Sequence, residues 1–130
     1  MNKGKLYKIF YNPAGFVEIH FLDEQTPDSV IGAVRELVKW SKRLNDKKQK
    51  VLVLADVTEV PKIDISGKMA PARQEAVKAM SSAKYDRIAV YGNVVVQILV
   101  NTLALIAGKR HQIKVFSDRT EAVRWLKGEM

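Results

Sequence analysis

Cysteine is absent from all 130 residues. That excludes disulfides, thiol catalysis and zinc sites built on thiolates. Histidine is scarce, His20 and His111 being the whole supply. Neither stands near a cysteine or an acidic ligand set in the sequence, so no metal site and no cofactor are expected. A signal-peptide core is missing as well: MNKGKLYKIFYNP holds no apolar run of the needed length, which makes a cytoplasmic location the expectation. The most apolar stretch, Val94–Ala107, has 14 residues, short of the ~20 that span a bilayer. No repeat and no low-complexity tract interrupts the chain. Its length suits one domain over residues 1–130, able to bury about two-thirds of its unfolded surface without a staple.

What the chain does hold is positive charge. There are 22 Lys and Arg against 14 Asp and Glu, a net charge of +8. The half up to residue 65 carries 11 bases and 9 acids, the remainder 11 and 5. Such a balance draws polyanions and acidic surfaces. The densest run, Lys39, Lys42, Arg43, Lys47, Lys48 and Lys50, reads as the solvated end of a helix, where cations favour the carboxyl end of the dipole. Aromatic residues do not interleave with it as they do in RNA-binding surfaces, so nucleic acid is not the expected partner.

Pattern along the chain predicts an α/β domain. Leu6–Tyr11 and Phe16–Leu22 are rich in aromatic and branched residues, and Asn12-Pro13-Ala14-Gly15 between them is turn chemistry, which makes a hairpin. Thr26 then caps a helix with Pro27 at its first position and Val30, Val34, Leu37, Val38, Ser41 and Leu44 on one face. Val51–Ala55 is a strand of continuous apolar character, as parallel strands covered on both faces are. After a loop from Val57 to about Ala70, a helix follows near Pro71–Ala83, then a second buried strand, Arg87–Tyr91. The helix Val94–Ala107 is apolar nearly all round, with Gln97 and Asn101 as a narrow polar strip, and so requires cover on more than one side. Gln112–Phe116 makes a last strand, and Asp118 with Glu121 a capping box for a final helix carrying Ala122, Trp125 and Leu126.

The order β-β-α-β-α-β-α-β-α implies a mixed sheet of about five strands with helices packed on it. Its parallel strands are joined by right-handed crossovers, and the first strand is antiparallel at or near an edge. Functional groups in such sheets gather beyond the carboxyl ends of the parallel strands. Here those ends are the loop from Asp56 and the turn Gly92-Asn93. Asp56 and Asp64 resemble an acid–base pair in isolation, but an aspartate at a strand end more often caps loop amides. No set of nucleophile, base and orienter is legible, so no enzyme is expected.

The loop Asp56-Val57-Thr58-Glu59-Val60-Pro61-Lys62-Ile63-Asp64-Ile65-Ser66-Gly67 resembles the signature loop of STAS domains, the fold of anti-sigma factor antagonists and sulfate-transporter tails. Ile88–Gly92 with its apolar helix, and Val115-Phe116-Ser117-Asp118 leading to Glu121-Ala122 and Trp125-Leu126, resemble the carboxyl half of the small bacterial SpoIIAA-like proteins, of STAS/Sec14 type. The likeness implies a single STAS-like domain. It also implies a non-enzymatic regulatory or adaptor module docking a protein, such as a kinase or anti-sigma-type regulator, through Asp56, Thr58, Asp64, Ser66, Gly67, Gly92 and Asn93. In antagonists of that family the serine at the position of Ser66 is phosphorylated, and a phosphate adds nearly two negative charges. This chain departs from the pattern at Pro71, which predicts a helix beginning there and leaves Ser66 in an open loop. The alternative implied by Sec14-like relatives is a carrier or sensor of a lipid or other apolar small molecule. Val95, Ile98, Leu99, Thr102 and Ile106 of the apolar helix are expected to join two copies as a homodimer or, in that alternative, to line the pocket.

Overall fold

A computed structural model describes residues 6–61, 67–82, 84–109 and 111–129. Strands β1 (Tyr7–Asn12) and β2 (Phe16–Phe21) form the hairpin. The turn between them closes with Gly15 N–H donating to the Asn12 carbonyl at 2.9 Å. Helix α1 spans Pro27–Asp46, strand β3 Leu52–Val57, and a short 3-10 turn at Gly67–Met69 leads into α2, Ala70–Ser82. The chain continues through β4 (Arg87–Gly92), α3 (Val94–Ile106), β5 (Ile113–Phe116) and α4 (Arg119–Leu126).

The five strands lie in sequence order, β1-β2-β3-β4-β5. β1 is antiparallel at the edge, and β2, β3, β4 and β5 run parallel. The expected mixed sheet is therefore present, and the two most apolar strands, β3 and β4, are parallel neighbours with Asp56 opposite Tyr91 and Val57 opposite Gly92. Their exits meet at one end of the sheet.

Two cores follow from the period of two along each strand. Val17, Ile19, Val53, Ala55, Val57 and Val90 face α1, α2 and α3. Phe16, Leu54, Ala89 and Tyr91 face α4, where Ala122, Trp125 and Leu126 cover them. Among the described residues this eight-residue helix alone covers its face, and Phe10 on β1 is exposed.

Local signals explain the ends of the helices. Thr26 and Ser29 close a reciprocal capping box on α1, with Pro27 in its first turn. Asp118 accepts from the Glu121 N–H to start α4. α2 begins at Ala70, so Pro71 sits in its first turn, where its missing N–H costs nothing. The expected polar strip of α3 divides in two. Gln97 turns toward the sheet, its Nε2 donating to the carbonyls of Gly92 at 2.7 Å and Phe116 at 2.9 Å, whereas Asn101 faces solvent. Among the described residues no helix is long and apolar enough to cross a membrane.

Candidate functional site

At the exits of β3 and β4 the backbone of two loops touches. Asp56 caps its own loop: Oδ1 accepts from the Thr58 N–H at 2.8 Å and from the Thr58 hydroxyl at 2.6 Å. Asn93 reaches across, its Nδ2 donating to the Val60 carbonyl at 3.0 Å while its Oδ1 caps the first turn of α3. Gly92 lies between them with φ of 125°. A Cβ there would stand 2.6 Å from the Thr58 nitrogen and 2.9 Å from the Val57 carbonyl carbon, so only glycine fits. Of the residues expected at this site, Asp56, Thr58, Gly92 and Asn93 are thus brought together. Gly67 stands in the 3-10 turn ahead of α2. Asp64 and Ser66 lie outside the described residues, and the phosphosite expectation with them.

Asp56 also belongs to a polar network on the α4 side of the sheet. Its Oδ2 accepts from the Tyr91 hydroxyl at 3.0 Å and lies 3.0 Å from His20 Nδ1. The other ring nitrogen, Nε2, is 2.7 Å from Glu18 Oε2. The sequence reading left His20 without acidic neighbours, and the fold corrects this by setting it between two carboxylates. A carboxylate only accepts, so both contacts are hydrogen bonds when each ring nitrogen carries a proton. Even so, no group of acidic and histidine side chains among the described residues has the arrangement of a metal site.

Glu18, only 4% exposed, is the centre of the network. Arg119 binds it at two points, Nη1 to Oε2 at 2.6 Å and Nη2 to Oε1 at 3.1 Å, and Asn12 Nδ2 adds a third donor at 2.9 Å. Burial pushes the Glu18 carboxyl up, but the donors from Arg119, Asn12 and His20 outweigh it and hold the group at about 2. Asp56 behaves alike: desolvation raises it, and the Thr58 hydroxyl and N–H, Tyr91 and His20 bring it below the usual range. The sequence marks neither Glu18, Tyr91 nor Arg119 as a site residue, and it offers His20 no acidic partner. Glu18 and His20 alternate with Val17, Ile19 and Phe21, the signature of a solvent-facing strand edge. Only the placement of Arg119 at the start of α4 turns that face into a buried ionic cluster.

On the opposite side of the sheet, an apolar cavity of about 200 Å³ opens between β2, β3, β4 and the three helices α1, α2 and α3. Among the described residues seventeen line it, fifteen of them apolar, the exceptions being Gln25 and Arg73. Helix α3 contributes Val96, Leu99, Val100 and Leu103 to the wall. Its outer face shows Val94, Val95, Ile98, Leu105 and Ile106 at 54–66% exposure. The five helix residues expected at a pocket or dimer contact therefore divide: Leu99 lines the cavity, and Val95, Ile98, Thr102 and Ile106 point outward.

A five-stranded sheet of this order, with three helices on one face and one on the other, defines a STAS-type α/β domain. The family model of SpoIIAA-like proteins matches residues 16–127, and the chain belongs to that family. A crystal structure of an uncharacterized protein of the DUF3478 family with a SpoIIAA-like fold, from Shewanella loihica PV-4, is similar at a TM-score of 0.60 and 15% identity, over 92% of this chain and 91% of that one. At that identity the likeness bears on fold alone. A search of the curated proteins found no match.

Proposed function

We propose that the chain is a non-catalytic carrier or sensor of an apolar small molecule, taken up between the sheet and helices α1, α2 and α3. One observation carries this reading, the cavity of about 200 Å³ with fifteen apolar residues in its wall. A ligand seated there takes the apolar wall out of water, at roughly 25 cal/mol for each Å² covered. Native mass spectrometry of protein purified from cells tests the reading: a retained mass lost on denaturation is expected. A bare chain that also takes up no apolar fluorophore, with wild type and the cavity-filling variant Ala76→Phe behaving alike, overturns it.

A second reading rests on a separate observation. α3 holds no charged residue, and its outer stripe of valine, isoleucine and leucine is open. In a chain of net charge +8, two copies repel one another over most of their surface. The uncharged stripe is where they meet without opposing like charges. We assign that face to a second copy of the chain, related by a two-fold axis that pairs the stripe with itself. The regulatory or adaptor role expected of STAS-type modules then has a physical form: the helix that lines the cavity is also the helix that docks.

A further inference from the structure

We infer that the end of the sheet where the parallel strands begin binds the phosphate backbone of duplex nucleic acid, by charge and without reading its sequence.

Topology gathers cations at that end. β2, β3, β4 and β5 run parallel, so the connections leading into β3, β4 and β5 lie together. Hydrogen bonds stitch them to one another. Asn45 Nδ2, at the end of α1, donates to the Lys84 carbonyl at 3.0 Å, and the Val51 N–H donates to Asp86 Oδ2 at 2.8 Å. Gln112 Nε2 donates to the Tyr85 carbonyl at 3.1 Å, and Lys109 Nζ stands 6.0 Å from the centre of the Tyr85 ring. α4 ends here too, since Arg87 at the start of β4 donates to the Trp125 carbonyl. Lys47, Lys48, Lys50, Lys84 and Lys127 are exposed at this end, with Lys109 half-buried among them. The described acids beside them are Asp46, Asp86 and Glu129, and Asp86 is engaged by the Val51 N–H. None of the six lysines is in an ion pair with a described residue. Ala83 and Arg110, the undescribed residues of these connections, bring no acid, and Asp64 is the one acid outside the described residues. The negative ends of the helix dipoles act only over the last turn, and lysine side chains carry their charge beyond it. The strand exits at the other end hold Asp23, Asp56, Glu59 and Asp118, so the positive field is one-sided.

What accompanies the lysines selects the partner. The connections expose no Phe, Tyr or Trp, Tyr85 and Trp125 being 9% and 8% exposed, and Tyr11 on the hairpin already has Trp40 against its ring. Bases find no stacking platform there, which disfavours single strands and leaves backbone contact untouched. A membrane holds a basic surface firmly when a second, apolar signal enters it. The aliphatic side chains nearest this end, Leu105 and Ile106, belong to the stripe assigned above to a second copy. Duplex nucleic acid needs cations alone. Its backbone carries one charge per ~1.7 Å of axis, and every phosphate neutralised releases a condensed counterion. Lysine, a hydrated point charge, suits phosphates met one at a time.

Fluorescence anisotropy of the full chain with labelled duplexes of about 20 base pairs, from about 50 to 200 mM KCl, tests the inference. Micromolar binding is expected at the lowest salt, alike for two unrelated sequences. Log K should fall against log salt with a slope of roughly −3 to −5. Lys50→Gln with Lys84→Gln should weaken binding about tenfold and flatten the slope by roughly two. Lys8→Gln with Lys39→Gln removes the same charge elsewhere and should weaken it less than about threefold. All four side chains are exposed, so folding is retained, and circular dichroism checks it. Equal losses in the two pairs overturn this end as the site. Tighter binding to a single strand overturns the duplex, as does binding to phosphatidylserine-rich vesicles by a chain that ignores DNA.

Discussion

Arg119, the first residue of the last helix, grips Glu18 in the second strand through two hydrogen bonds across 101 residues of chain, with Glu18 almost wholly buried and Arg119 still open to water. The asymmetry between the partners gives a stability prediction. Arg119→Ala takes the charged partner from a buried carboxylate that keeps Asn12 and His20 beside it, and should cost about 2–3 kcal/mol in urea unfolding, less than the ~3–5 of a fully enclosed pair. Glu18→Gln leaves a guanidinium that can turn to solvent and an amide that still accepts, so about 1 kcal/mol is expected. Equal losses in the two variants would refute this account.

Acid should unfold the chain through the same cluster. The folded state holds the Glu18 carboxyl at about 2 against its ordinary 4.5, and Asp56 is shifted in the same direction. The unfolded chain therefore takes up these protons first. The stabilisation is fully present above about pH 4.5 and drains away as pH falls toward 2. Urea midpoints measured from pH 7 to pH 2 should fall over that window, and Glu18→Gln should flatten the slope.

Two glycines should respond in opposite ways. Gly92→Ala forces a Cβ onto the Thr58 backbone at a φ that side chains avoid, and about 3 kcal/mol or more should be lost. Gly67→Ala meets open space, so it should be neutral or stabilising by up to about 1 kcal/mol. Thermal unfolding of the two variants separates them.

The outer face of α3 should be dispensable for folding and necessary for assembly. Ile98→Lys combined with Ile106→Lys is expected to leave unfolding within about 0.5 kcal/mol of wild type per site, since both side chains already face water. Light scattering should show a dimer for wild type and a monomer for the double variant. A wild-type chain that stays monomeric at high concentration rejects the self-pairing of this face.

Local chemistry in the sequence was enough for the elements. Thr26-Pro27 announces α1, continuous apolar runs announce β3 and β4, and Asp118 announces α4, because caps, turns and periodicity act over a few residues. The same reasoning placed Asp56, Thr58, Gly92 and Asn93 at one meeting point, since parallel neighbours share an exit. It also showed that α3 needs cover on more than one side, although not which residues face which way.

Only the tertiary structure decided the rest. Glu18 and His20 look like the wet edge of a hairpin until Arg119, a hundred residues on, is laid over them. The inner side of α3 cannot be told from its outer side until α1 and α2 leave a cavity against Leu99 and Leu103. Sequence determines a residue's face within its own element, because backbone geometry repeats with a fixed period. Burial, ion pairing and cavities depend on which elements come together from far along the chain, and that is set by the packing of the whole domain.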